Sequence, residues 1–453
     1  MITEEEFLAR RGDRALRLGY GGACPAEGVG LVVRAAALRS PAAFPAVVAA
    51  ANLLARWVPR LSVALPDGPD GTIEPLVTAI EEAVRTANPF LDLRWRSPDD
   101  AQPSLAIGPG PASRHEIAAW ADGWVAVSTN GPSSPCRSEP ITSVLLFAIT
   151  LGVGRVFRQA WRLSCDGPAE VRWNTWHHTL NRDESSYETH GPPSEPPSLG
   201  RVLQVGAGAV GSNIIYFLCL MGASADVVLV DHDVVKVENL DRSLLFGLLD
   251  AVPEEAPKVE AAVRATECYA DLEIQPIQAK WADYAQRSYR VGDFDLALAL
   301  ANEDHVWPAM SRAVLPLTLQ ATTDESWGVA LGAHTPGTGY CLQCRFPLDV
   351  PVLPTVCAQG ATEIESTPGT KTTVHASLPF QSAAAAGLLA VEIDKLSLGP
   401  VEGAPNYVEG RTGVTEQVLS LRRPPTKTCP ACRDFPEDFW ATKYSFSRFA
   451  DHR

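Results

Sequence analysis

The tract that most limits what this chain can become is RVLQVGAGAVGSNIIYFLCLMGASADVVLVDHDVVKVENLDR, residues 201–242. An apolar strand runs into Gly206-x-Gly208-x-x-Gly211, an apolar helix follows, and a second strand ends at Asp231. Each glycine has a mechanical reason. Gly206 allows the tight turn, Gly208 lets the backbone approach a phosphate, and Gly211 lets the helix pack close to the strand. Amides at the start of that helix face an anion, and Asp231 is placed to accept hydrogen bonds from ribose hydroxyls. The pattern predicts a βαβ unit of a parallel sheet that binds a nucleotide. By itself it does not separate an NAD enzyme that moves hydride from an enzyme that spends ATP.

The rest of the chain narrows the class. At 453 residues it is too long for one ordinary core, so two or three domains are expected. Apolar residues at 46% and charged residues at 20% describe a globular protein. A net charge of −15 leaves no basic face to neutralise phosphates, which argues against a nucleic-acid partner. The N-terminal MITEEEFLARRGDR is acidic and lacks the apolar run of a signal peptide. ITSVLLFAITLGVG (141–154) reads as too short and too glycine-interrupted to span a bilayer. No membrane contact and a cytoplasmic location are therefore expected.

DESSYETHGPPSEPPSL, residues 183–199, is polar and proline-rich and reads as a linker between domains 1–182 and 200–453. Ahead of it, AAFPAVVAAANLLARWV, TIEPLVTAIEEAVRTAN and TSVLLFAITLGVGRVFRQAW read as helices. PSLAIGPGP and GWVAVSTNG read as strands ending in turns. This half has α/β texture but no glycine fingerprint, acid pair or metal spacing. Behind the linker, strands at 201–205, 226–231, 273–278 and 294–300 alternate with helices at 211–222 and near 257–270, and a small-residue helix follows at 380–399. The expected fold is α/β, with a Rossmann-like, parallel-rich sheet after a second α/β domain.

The residues beyond the glycines separate the candidates. Residues 231–242 read D-H-D-V-V-K-V-E-N-L-D-R. With Asp231, Asp233, Asn239, Leu240 and Arg242 in place, this segment resembles the ubiquitin-activating superfamily, which includes the ThiF and MoeB adenylating enzymes. Dinucleotide dehydrogenases have no reason to keep a second acid, an asparagine and an arginine there. The resemblance implies that a substrate carboxylate attacks the α-phosphate of ATP and expels pyrophosphate, with Mg²⁺ and cationic side chains stabilising the developing charge. It implies that Asp231 holds ribose and that Asn239, Arg242 and Lys258, in EEAPKVEAAVRA, contact phosphates. Taken alone, Lys258 and Arg242 would each pass for surface charges. Members of the superfamily hold magnesium with an aspartate after a hydrophobic strand. Here FDLALAL is followed by Ala301-Asn302-Glu303-Asp304, so Asn302 falls in the aspartate's register and Asp304 lies close by.

Ten cysteines in a chain without a secretory signal read as thiols or metal ligands rather than disulfides. Cys341-x-x-Cys344 and Cys429-x-x-Cys432 are two halves of one tetrahedral zinc site, the alternative being four free thiols or a redox pair. ThiF/MoeB-type enzymes keep this arrangement around a crossover loop. Cys357, in VLPTVCAQGATEIESTPGTKTTVH, belongs to neither pair, and C-A-Q-G-A is similar to the loop motif of members that pass their cargo to a thiol. The resemblance thus implies a thioester on Cys357, with a plain loop cysteine as the alternative. Cys219, inside IIYFLCLMG, reads as packed core.

Taken together, residues 200–453 read as an adenylation domain that activates the C-terminal carboxylate of a ubiquitin-like protein and passes it to a conjugating enzyme. Residues 1–182 read as an inactive adenylation-like half or as a recognition domain, and a homodimer is left open. The alternatives are a sulfur-carrier adenylyltransferase of the thiamine or molybdopterin type and a catalytically weak scaffold. An NAD-dependent oxidoreductase is disfavoured by the N-L-D-R segment and the cysteine pairs.

Overall fold

The computed structural model describes residues 2–17, 26–66, 73–111, 113–131, 136–163, 169–180, 191–301, 306–313, 315–324, 327–334, 340–345, 362–367, 370–374, 378–398, 405–411 and 417–433. Helix α1 (Glu4–Arg17) leads into β1 (Val29–Val33), α2 (Ala43–Ala55), β2 (Arg60–Ala64), α3 (Ile73–Ala87) and β3 (Asp92–Trp95). Then come β4 (Ser104–Ile107), β5 (Glu116–Asp122), β6 (Val125–Thr129), α4 (Thr142–Ala160), β7 (Glu170–Asn174) and β8 (Thr179–Leu180). These eight strands form one sheet in the order β3-β2-β1-β4-β5-β6-β7-β8. Its first five strands pair in parallel and its last three antiparallel.

The second half begins with β9 (Ser198–Val205), two residues inside the expected linker, then α5 (Ala209–Leu220) and β10 (Ser224–Asp231). It continues through α6 (Leu248–Ala251), α7 (Lys258–Thr266), β11 (Leu272–Gln278), α8 (Trp281–Arg287), β12 (Leu296–Ala299) and α9 (Val306–Arg312). After β13 (Leu317–Thr323), β14 (Gly328–His334) and α10 (Leu342–Arg345), a hairpin of β15 (Thr362–Thr367) and β16 (Thr370–Val374) intervenes. Next come α11 (Pro379–Leu396), β17 (Tyr407–Arg411), β18 (Gln417–Leu421) and α12 (Pro430–Arg433). The second sheet runs β11-β10-β9-β12-β13-β14-β17-β18. With the hairpin set aside, its order and its parallel and antiparallel pairings repeat those of the first sheet strand for strand.

The two sheets share one apolar core. It runs from Leu31 and Ile107 of the first sheet through α4 and α11 to Val202 and Leu319 of the second. Helices α4 and α11 occupy corresponding places, each following the sixth strand of its sheet, and they pack on each other. Close approach is possible because each presents a glycine to the other's phenylalanine. A Cβ on Gly154 would lie 2.9 Å from the Phe380 ring, and one on Gly387 would lie 3.1 Å from Phe147. Phe147–Gly154 and Phe380–Gly387 stand at the same spacing, so the contact exchanges its two sides like a twofold axis. Polar side chains are built into the same junction. His178 Nε2 lies 2.6 Å from Glu392 Oε1, and the fully buried Lys395 donates to the carbonyl of Thr175.

The expectation for residues 141–154 needs revision. Helix α4 extends to 19 residues and is long and apolar enough to cross a bilayer, yet 89% of that stretch is buried inside the fold. Its apolarity is accounted for by packing on β4–β6, α2 and α11. The outer face of the second sheet carries α8 and α9, where Trp281, Tyr284, Trp307 and Met310 cover Leu203, Val205, Val228 and Val230. Between β3 and β5 of the first sheet, no corresponding helix occurs among the described residues.

Candidate active site

The C-terminal ends of β9, β10 and β12 meet at the point where strand order reverses, and it is in the crevice at such a point that open parallel sheets bind ligands. Gly206 leaves β9 with φ +105°, and a Cβ there would lie 2.7 Å from the carbonyl carbon of Leu300. No other residue type tolerates both the backbone and the contact. Gly211 meets Gly206 just as closely, its Cβ position being 2.9 Å from the Gly206 carbonyl carbon. Gly208 is different: nothing lies within 4 Å of its Cβ position. That opening faces the N-terminal turn of α5, whose first amides have no partner within the helix.

Asp231 closes one side of the crevice. Its Oδ2 accepts from the Ala207 amide at 2.6 Å and its Oδ1 from the Asp233 amide at 2.8 Å, so the acid is fixed against the glycine loop. Across from it, Lys258 at the start of α7 is buried and places Nζ 2.8 Å from Asp233 Oδ2. Burial would raise the Asp233 carboxyl, but the hydrogen bond and charge of Lys258 outweigh it and hold the group below its ordinary range. The Lys258 amide also donates to the Asp233 carbonyl at 3.0 Å, which anchors the helix start to the strand end.

The structure thus brings Gly206, Gly208, Gly211, Asp231, Asp233 and Lys258 together. Asn239 and Arg242 lie in the next turn and serve its internal geometry. Asn239 Oδ1 accepts from the Lys236 amide at 3.0 Å. The buried Arg242 donates Nη1 to Asp241 Oδ1 at 2.7 Å and to the Glu238 carbonyl at 2.6 Å. Asn302, Asp304 and Cys357 lie outside the described residues.

Several residues at this site gave no signal in the sequence. Arg10 of α1 pairs with Glu238 at 3.1 Å, and the buried Arg11 next to it donates to the Ala55 carbonyl. Burial lowers the Arg11 guanidinium to about 10, opposed by the charge of Asp241. Arg56 and Asn52 of α2 reach the carbonyls of residues 240–246.

Among the described residues, the first sheet shows no glycine loop at the corresponding strand end. Arg34 follows β1, and the stretch after that strand, RAAALRS, holds no glycine. The Arg34 guanidinium donates to the carbonyls of Gly108 at 2.7 Å and Pro111 at 2.6 Å and pairs with Glu116, filling the end of that sheet.

The two cysteine pairs meet. Sγ–Sγ distances are 3.7 Å for Cys341–Cys344, 3.6 Å for Cys341–Cys429 and 3.5 Å for Cys344–Cys432. Four thiolates bonded to zinc at about 2.3 Å would stand about 3.8 Å apart, so the cluster is compatible with that metal. The Thr426 amide, 3.2 Å from the Cys344 sulfur, is a donor suited to a metal-bound thiolate. By contrast, burial pushes the Cys219 thiol up to about 12, in keeping with a packed, unreactive group.

Residues 198–431 match the ThiF family. A curated relative, uncharacterized protein y4jF of Sinorhizobium fredii, is 27% identical over 256 residues. That stretch is 52% of this chain and 45% of y4jF, so the chain spans less than half of that relative's length. Among solved structures, E. coli MccB with ATP is 18% identical with a TM-score of 0.39, covering 51% of this chain and 66% of MccB. MccB, a microcin C7 biosynthetic enzyme, in complex with N-formylated MccA is 15% identical with a TM-score of 0.39, over 70% and 97% of the two chains.

Proposed function

The chain belongs to the ThiF family, and on that premise we propose that residues 200–453 adenylate the C-terminal carboxylate of a ubiquitin-like protein. One observation carries this reading: the open space over Gly208, flanked by helix amides, by Asp231 and by the Lys258–Asp233 pair. Helix amides and a buried ammonium suit a triphosphate, and Asp231 at the strand end suits ribose. A carboxylate oxygen of the carrier attacks the α-phosphorus of ATP, the bond to the β-phosphate oxygen breaks, and pyrophosphate leaves. Lys258 and Arg242 supply positive charge to the phosphates, and Asn239 a polar contact. Magnesium, when bound beside Asn302 and Asp304, would add charge neutralisation. The Cys357 thiolate then attacks the acyl-adenylate carbonyl, AMP departs, and a thioester forms for transfer to a conjugating partner.

Residues 1–182 serve, in this reading, as the adenylation-like partner that no longer binds nucleotide. The repeated strand order and the Arg34 guanidinium across the end of the first sheet support that role. ATP–pyrophosphate exchange tests the activity, and it is expected only with a carrier whose C-terminus is intact. A dithiothreitol-sensitive adduct should vanish in Cys357→Ala and persist in Cys219→Ala. An adduct that survives Cys357→Ala means that another thiol is the nucleophile, whereas exchange with no adduct in the wild-type chain leaves a sulfur-carrier type of adenylation. Asn302 in the register of an aspartate favours a second reading, a nucleotide-binding scaffold. ATP binding without exchange on any carrier would establish it.

A further inference from the structure

The segment after Asn239 is built of turns up to α6 and has no ladder of its own to hold it. Side chains hold it from two directions. From the same half, Asn213 of α5 donates Nδ2 to the Arg242 carbonyl at 3.0 Å and accepts from the Leu244 amide at 2.7 Å. From the other half comes Arg56, at the C-terminal end of α2 and fully buried. Its Nη1 donates to the Leu240 carbonyl, and its Nη2 to the carbonyls of Leu244 at 3.0 Å and Phe246 at 3.1 Å. Its Nε donates to Asn52 Oδ1 at 2.8 Å, and Asn52 Nδ2 donates in turn to the Leu244 carbonyl at 3.1 Å.

A buried charge is costly, and an apolar side chain would pack between these helices at no such cost. What only a guanidinium offers is five N–H groups in one rigid plane, enough to reach three carbonyls and an amide oxygen at once. The carbonyls it reaches bracket Asp241 and Arg242, the ion pair at the centre of the turn. Burial draws the Arg56 guanidinium down to about 9, with the neighbouring Tyr216 hydroxyl and the charge of Asp241 working against that and Arg11 adding to it.

We infer that Arg56 is a positioning residue for the nucleotide site of the opposite half: it fixes turn 240–246, and through it the Arg242 guanidinium, in the arrangement that meets phosphate. The role of the turn in catalysis rests on the adenylation reading, whereas the clamping of the turn does not. Arg56 acts through backbone and touches no substrate.

Full-length Arg56→Lys and Asn52→Ala separate the possibilities. Lysine keeps the charge but has neither the plane nor the reach for three carbonyls. Hydrogen exchange of residues 240–246, followed by mass spectrometry, should rise about tenfold in Arg56→Lys and less in Asn52→Ala, with the sheets unchanged. In pyrophosphate exchange Arg56→Lys should lower kcat/KM for ATP about tenfold, while KM for the carrier stays near wild type. Unchanged exchange in 240–246, or an even rise across both sheets, overturns the inference. If Arg56→Lys gives no cooperative melt, Asn52→Ala still reads the same turn. If the wild-type chain exchanges no pyrophosphate, the adenylation reading fails and the hydrogen-exchange result alone decides on Arg56.

Discussion

Gly206 and Gly208 sit two residues apart and are glycines for different reasons. Gly206 has a left-handed φ of +105° and a neighbour 2.7 Å from its Cβ position, so Gly206→Ala should cost about 1–3 kcal/mol of stability. Gly208 has φ −70° and empty space, so Gly208→Ala should leave stability within about 0.5 kcal/mol. The same methyl group would stand where a phosphate belongs, and ATP affinity should fall about tenfold or more. Thermal melts and calorimetric titration with ATP check both halves of this expectation. Wild-type affinity in Gly208→Ala would mean that the opening is not the phosphate site. At this scale the sequence was informative where one residue type meets one mechanical demand. It was silent on Arg10, Arg11 and Arg56, because their partners are main-chain or distant groups brought near only by folding.

Among the elements, α10 and α12 are single-turn helices too short to be stable alone. The four cysteines they carry or adjoin are the staple between them. Purified chain is expected to hold one zinc by atomic absorption, and Cys429→Ser should lose it and lower Tm by about 5 °C or more. A chain that melts unchanged after dialysis against a chelator would mean that the cluster binds no structural metal. Both Cys-x-x-Cys motifs were legible because metal spacing is local. The helices 43–55, 142–160 and 379–396 were legible as long runs rich in apolar and small residues, and 73–87 by apolar residues at helical spacing. Strand β5, parallel to β4 and antiparallel to β6, and the antiparallel strands β7, β17 and β18 were harder to place. Short strands between loops depend on neighbours far along the chain, so local pattern does not reveal their order.

At the scale of the whole molecule the repeat of eight strands was the least legible feature. Sequence showed two halves of similar texture, but strand order is set by long-range pairing, and the residues that mark the crevice survive in one half only. That asymmetry makes a stoichiometric prediction. Calorimetry with ATP should find one nucleotide per chain, and Arg34→Ala should not create a second site, since no Gly-x-Gly-x-x-Gly loop follows β1. Two equivalents bound to the wild-type chain would overturn the reading of the first sheet as a closed site.

A symmetric homodimer spells each residue once and displays it twice, so any change made for one active site is imposed on the other. Here the Phe–Gly contact of α4 and α11 is spelled out twice, at 147 and 154 and again at 380 and 387. Each copy can drift alone. The C-caps of α2 and α5 show what that freedom allows: Arg56 stands at one and Met221 at the other. On the adenylation reading, one half can keep the nucleotide site while the other serves as its scaffolding.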